Sequence, residues 1–300
     1  MSEGGALINL GELSKPATVL VEKISEAIGG IFRPYQIRRV AQAEAEAEKI
    51  RVVAEIEVTD LQRRAMVRVF AEEAKKQVNI ESITSKALPA IDETASPQDM
   101  EDDWITNFFD KCRLISDDEM QVLWSKVLAG EANSPGRYSK RTVNFLASLD
   151  KADAEMFRNL CSFGWVMGDF DPLIYDPEGP IYVEAAITFD SLKHLDQIGL
   201  ISFESLSGYR RMRFPQKIVV AYYGALVEIK FALPTDNQLE IGQALLSKVG
   251  HELAPICGSQ PRDGFKDYVL AKWRAAGYKV REIESEQSVD PHAELLNGPP

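Results

Sequence analysis

The sequence has little of what most chemistry needs. Cysteine and histidine occur three times each in 300 residues. Cys112, Cys161 and Cys257 are widely separated and odd in number, which excludes a disulfide framework and a zinc spacing. A reducing cytoplasm suits them. His194, His251 and His292 have no second histidine, cysteine or carboxylate at ligand spacing, and they read as surface residues. There is no Gly-x-Ser-x-Gly elbow, no Walker lysine loop and no dinucleotide glycine fingerprint. Gly29-Gly30 lacks a preceding strand and a third glycine. Cys257 sits in a Cys-Gly-Ser-Gln turn with no assignable histidine partner. No catalytic, cofactor-binding or metal-binding residue is therefore assigned, and no cofactor is expected.

Long apolar runs are missing too. No window approaches the roughly 18 residues of a membrane-spanning helix, and the N-terminal MSEGGALINLGELSKPATVLVEK lacks the basic start of a signal peptide. Positive charge is scarce: 34 Lys and Arg face 46 Asp and Glu, for a net charge of −12. That average works against non-specific nucleic-acid binding, although a local basic patch can oppose it. Acids gather between Asp92 and Asp118, including Asp99, Glu101, Asp102 and Asp103. They fall in first helical turns, where the helix dipole alone favours them.

What is present reads mainly as helix. Residues 1–34 hold an amphipathic segment with Leu20, Ile24, Ile28 and Ile31 on one stripe. It reads as a helix docked on the body or on another subunit. Glu22 and Glu26 interrupt the cationic face that an anionic membrane would need. Residues 35–84 form a long charged helix, without Gly or Pro from Gln36 to Ile83. Its stripe Val40, Ala43, Ala47, Ile50, Ala54, Val58, Leu61, Ala65 and Val69 keeps about the 3.6-residue period of an α-helix. So polar a helix cannot bury itself alone. Self-association as a bundle or coiled coil is one resolution, and packing on its own chain is the other.

Residues 85–97 (with SKALPAIDETASP) read as a linker, and 98–164 as a helical domain. Ser96-Pro97-Gln98-Asp99 is a helix start, and Trp104, Phe108, Leu123, Trp124 and Val127 are core candidates. Ser116 to Glu119 is a capping box, Gly130 a helix stop, and Ser139 and Asp150 are N-caps. In residues 165–283, Thr188 starts a short helix, and LISFES followed by YRRMRF gives a β-hairpin signal. QKIVVAYYGALVEIKFAL adds one or two strands. Helices are expected over 236–249, stopped by Gly250, and over 263–276. YKVREI is a last strand, and 284–300 is a tail. Short helix, turn and hairpin is the order of a winged helix. The fold class is thus mainly α with a small α+β part: a long N-terminal helix, a helical middle and a winged-helix-like C-terminal domain. Two basic clusters are the candidate contacts for nucleic acid or a partner: Arg137, Lys140 and Arg141 around a helix start, and Arg210, Arg211 and Arg213 in the expected hairpin.

The segments INLGELSKPATVLVEKISEAIGG, RPYQIRRVAQAEAEAEKI, LWSKVLAGEANSPGRYSKRTVNFLASLDKADAEMF and IGQALLSKVGHELAPICG resemble a bacterial family, domain of unknown function 2806. The resemblance spans most of residues 7–283, and Trp124 to Phe157 is its most specific part. In layout the chain is also similar, more distantly, to the Abi-alpha family linked with abortive infection. The resemblance implies a cytoplasmic bacterial protein and brings no catalytic residue. A role in phage defence is suggested by the layout alone.

Together these readings lead to a non-enzymatic, self-associating interaction or scaffold protein. It would form a homo-oligomer through the N-terminal helix and recognise an unidentified protein partner. The alternative is a nucleic-acid-binding regulator that uses the basic hairpin. An enzyme with a site dispersed in sequence is the third reading.

Overall fold

A computed structural model describes residues 13–28 and 59–283. The chain divides into two compact units, residues 1–148 and 149–300. Across the described residues the fold is mixed α/β, with ten helices and nine strands. Among them no helix is long and apolar enough to cross a membrane.

The first unit is helical. Helix α1 (Lys15–Ile28) buries Ala17, Leu20, Val21 and Ile24, and the Lys23 ammonium donates to the Gln98 carbonyl at 2.7 Å. Its apolar face thus lies on its own unit. Helix α2 (Asp60–Ala87) starts with Thr59, whose side chain accepts from the Gln62 amide while the Gln62 side chain accepts from the Thr59 amide. The second half of α2 buries Ile80, Ile83, Thr84 and Ala87. Polar pairs align this half with helix α4 (Asp118–Asn133): Ser82 with Gln121 at 2.7 Å, and Lys86 with Asp118 at 2.6 Å. Helix α3 (Asp102–Cys112) supplies Trp104, Phe108 and Phe109 to the core. Phe108 meets Trp124 edge-on at 5.1 Å and stacks on Trp104 at 5.0 Å. Helix α5 (Lys140–Leu146) completes the unit, capped by Ser139 as expected.

Several expectations need correcting here. The stripe from Val40 to Val69 is not one uninterrupted helix. Thr59 is extended and caps a new start, because its hydroxyl and Gln62 satisfy amides that a continuing helix would otherwise satisfy. The rest of the expected helix, 35–58, lies outside the described residues. The 85–97 linker is not free chain: Asn133 donates to the Ala90 carbonyl and accepts from the Asp92 amide, and Leu88, Ile91 and Pro97 are buried. Pro97–Asp99 is a short 3-10 turn, and the α-helix begins at Asp102. Gly130 does not end its helix. The Tyr138 ring presses on it so closely that an added Cβ would sit 2.7 Å from the ring, so glycine there serves packing. The capping residue of α4 is Asp117, and Leu123 is only half-buried.

The second unit begins with helix α6 (Lys151–Cys161), so the helical domain expected over 98–164 is divided near residue 148. Strands β1 (Gly164–Met167) and β2 (Asp169–Pro172) follow, then the short α7 (Pro180–Val183) and α8 (Phe189–Gln197), which carries the Thr188 capping box. Strands β3 (Ile201–Phe203), β4 (Tyr209–Phe214), β5 (Lys217–Tyr222), β6 (Ala225–Lys230), β7 (Asn237–Gly242) and β8 (Ala244–Leu246) precede α9 (Lys248–Leu253), α10 (Phe265–Ala275) and β9 (Lys279–Ile283). One antiparallel sheet has the order β2-β1-β5-β6-β9. The β5–β6 hairpin turns at Tyr223 and Gly224, both at positive φ, the geometry of a tight two-residue loop. The Tyr223 hydroxyl ties this turn to the Cys161 carbonyl at 2.9 Å and to Ser259 at 2.6 Å, which holds a non-glycine residue in a strained conformation. Trp165, Tyr222, Phe265 and Trp273 pack as a ring cluster on the inner face.

The expected β3–β4 hairpin does not form. β3 pairs with β8, and β4 pairs with β7, so the strands of the expected wing belong to a ribbon with distant partners. The helix expected over 236–249 is β7 and β8, and Gly250 lies inside α9. Two glycines explain this. Gly242 has φ +104° and lies against the Ile174 carbonyl, 2.2 Å from where a Cβ would be. Gly250 meets the Leu200 carbonyl in the same way. Both allow close backbone approach. Replacing Trp124 by Ala, in the fully buried centre of the first unit, is expected to lower stability by about 3–5 kcal/mol. Denaturant unfolding of the variant checks this.

Candidate functional site

Asp171 pairs with Trp165 on β1 and is buried, while Asp169, on the same strand face, stays exposed at the start of β2. Asp171 is 1% exposed. A carboxylate so placed needs a counter-charge and donors. Arg211 on β4 supplies the charge: its guanidinium donates to Asp171 at 2.5 Å, to Asp169 at 3.2 Å and to the Met167 carbonyl at 3.0 Å. The Leu246 amide donates to the other Asp171 oxygen at 3.1 Å, and His251 Nε2 lies 3.7 Å from that oxygen. These groups line a cavity of about 270 Å³ together with Tyr209, Arg210, Ile241 and Leu245. Burial pushes the Tyr209 phenol above its ordinary pKa. Arg210 and Arg211 balance the two aspartates in formal charge, and the Asp171–Arg211 pair with the Leu246 amide joins β2, β4 and β8. Burial drives the Cys112 and Cys161 thiols far above the usual range, which leaves them poor nucleophiles. His194 Nε2 lies 2.7 Å from Asp153.

A second feature is the first half of α2. From Asp60 to Lys75 every residue except Met66 is exposed. Leu61, Val67, Val69 and Phe70 show 68, 58, 48 and 50% of their surface. Local ion pairs join its side chains, Arg68 with Glu72 at 2.7 Å and Lys76 with Glu73 at 2.6 Å, and solvent screens both.

The six basic candidates have different fates. Arg211 is committed to its aspartates. Arg210 lines the cavity opposite Glu240 on the neighbouring strand. Arg213 is exposed at a bulge, with φ 66°. Arg137 lies over the Tyr138 ring at 5.6 Å, and Lys140 is within 4.0 Å of Glu101 and Asp103. Arg141 is exposed on the first turn of α5. Arg137, Lys140 and Arg141 belong to the first unit, and Arg210, Arg211 and Arg213 to the second.

Sequence reading missed the groups that organise both places. Buried Glu131 accepts the Gly136 and Tyr138 amides at 2.7 and 2.8 Å, and so it shapes the turn before Arg137. Asp171 is the other, and no local signal marks it, because Asp169 and Asp171 share one strand face and only distant partners bury the second. Asp171→Asn is expected to cost about 3 kcal/mol by leaving Arg211 without its buried partner. Exposed Asp169→Asn is expected to cost under about 1 kcal/mol. Parallel urea titrations compare the two.

The family described as Protein of unknown function (DUF2806) is matched by residues 63–270. No curated protein and no solved structure matches the chain.

Proposed function

We propose, for a chain that belongs to the DUF2806 family, a non-enzymatic interaction protein that self-associates through the exposed first half of α2. The observation that carries this reading is four large apolar side chains on sixteen exposed or half-exposed helical residues. Most helical stability in proteins comes from packing an apolar face, and exposed apolar clusters mark interaction surfaces. Burial against a second copy would take these apolar side chains out of water. The charge-cancelled cavity at Asp171 supports a binding or structural role for the second unit over catalysis. A phage-defence role rests on the layout likeness alone. Val67→Asp should abolish self-association in sedimentation velocity, and at concentrations where the wild type is a monomer the two melting temperatures should match, because the position is exposed. Unchanged association would contradict the reading.

The second reading, nucleic-acid binding, draws on a specific row. Lys217, Lys230 and Lys279 stand directly opposite one another on β5, β6 and β9, all exposed. Like charges in that register repel. Glu228 meets Lys217 at 3.5 Å and Arg281 at 3.9 Å. A winged-helix-like use of this unit would make β5–β6 the wing, yet its turn is the end tied down by Tyr223. The row could still meet phosphates. Each lysine changed to Gln would then lower the salt dependence of oligonucleotide binding by about one unit of slope. An unchanged slope would exclude the row.

A further inference from the structure

We infer that Cys161 and Cys257 are a peroxide-oxidisable pair that closes to a reversible disulfide within one chain. The inference concerns the second unit alone and does not depend on self-association. Cys161 is the last residue of α6 and is fully buried. Cys257 follows α9 and a 3-10 turn over Ala254–Ile256, and it is half-exposed.

The fold brings these distant residues to one place through Tyr223. Its hydroxyl donates to the Cys161 carbonyl at 2.9 Å and meets Ser259 Oγ at 2.6 Å. Ser259, two residues beyond Cys257, is buried. Burial raises the Tyr223 phenol above its ordinary pKa, and the nearby Cys161 and Cys257 sulfurs raise it further. The two thiols are also hydrogen-bonded to one another, and that bond adds to burial in raising the Cys161 thiol. Cys257 Sγ donates to the Ala254 carbonyl at 3.1 Å, which holds its sulfur in place. An accessible sulfur beside a second one is the arrangement of a redox-responsive pair. Cys112, buried in the first unit, has no other cysteine in its unit.

The Cys257 sulfur attacks one oxygen of hydrogen peroxide. The O–O bond breaks, a sulfenic acid forms, and the Cys257 proton leaves with the displaced hydroxide as water. The Cys161 sulfur then attacks the sulfenic sulfur. The S–O bond breaks as the S–S bond forms, and the Cys161 proton leaves with the hydroxyl as a second water. The two thiols lose two electrons and two protons, and peroxide takes both. Burial makes Cys161 a poor nucleophile towards dissolved reagents, but an electrophile held against it needs no encounter. A thiol reductant reverses the bond by exchange, and transient disulfides of this kind occur even in reducing compartments.

The test treats the reduced full-length protein with hydrogen peroxide, then counts thiols by alkylation in denaturant and intact mass. The three free thiols should fall to one, with two hydrogen atoms lost from the unalkylated mass, and dithiothreitol should restore all three. Proteolysis without reduction should release a Cys161–Cys257 linked peptide, while Cys112 stays alkylated. Cys257→Ser should keep both remaining thiols through the same treatment. Cys161→Ala should leave Cys257 as a sulfenic acid that dimedone traps. Because Cys161 is buried, the wild-type thiol count decides the question even if that variant fails to fold. Three thiols still free after peroxide overturn the inference. So does oxidation of Cys257 past the sulfenic stage with Cys161 still alkylated, or a disulfide that joins two chains.

Discussion

A helix buries only the face it shares with a neighbour, and that constraint governs the first unit. The second half of α2 has its neighbour. Ile80, Ile83, Thr84 and Ala87 are buried, and Ser82 and Lys86 fix its register on α4. With α2 held, the aromatic group of Trp104, Phe108 and Trp124 closes beneath it, and α1 covers the far side of α3 with Ala17, Leu20 and Ile24. In the first half of α2, Leu61, Val67 and Val69 stay exposed. One helix thus spends half its length on folding and presents the other half. A surface built this way is as rigid as the body that anchors it, which lowers the ordering cost of association.

The second unit depends on a buried charge. Asp171 would be strongly unfavourable on an inner strand face without Arg211 and the Leu246 amide. Those partners come from 40 and 75 residues away in the chain. They fix which ribbon packs beside the sheet and so decide where β4 and β8 lie. The same pair explains why the arginines look like a ligand site in the sequence: their density is real, but the most central of them serves the fold.

Local signals were legible where local chemistry decides. Ser139 and Thr188 cap helices through their own hydroxyls, and the apolar spacing of Phe265, Val269 and Trp273 gives α10. Where a distant partner decides, the sequence was ambiguous or misleading. DNQLEIGQALLSKVG carries apolar residues that suit a helix as well as two strands, and pairing with β4 selects the strands. Once that partner is lost, LISFES and YRRMRF seem to pair with each other. Glu131 and Asp171 were overlooked because an acid in an apolar stretch gives no local hint of the amides or guanidinium it will meet. Gly130 and Gly250 resembled stops, although both are glycine because a ring or a carbonyl lies against them. The exposed apolar residues of α2 were visible as a stripe. The capping box at Thr59 was not recognised as a new beginning.

The most direct test of the account is the mass of the wild-type protein by light scattering across a range of concentrations. Self-association through α2 predicts a rise from the 33.5 kDa of one chain to twice that value as concentration increases. A constant 33.5 kDa throughout would contradict it.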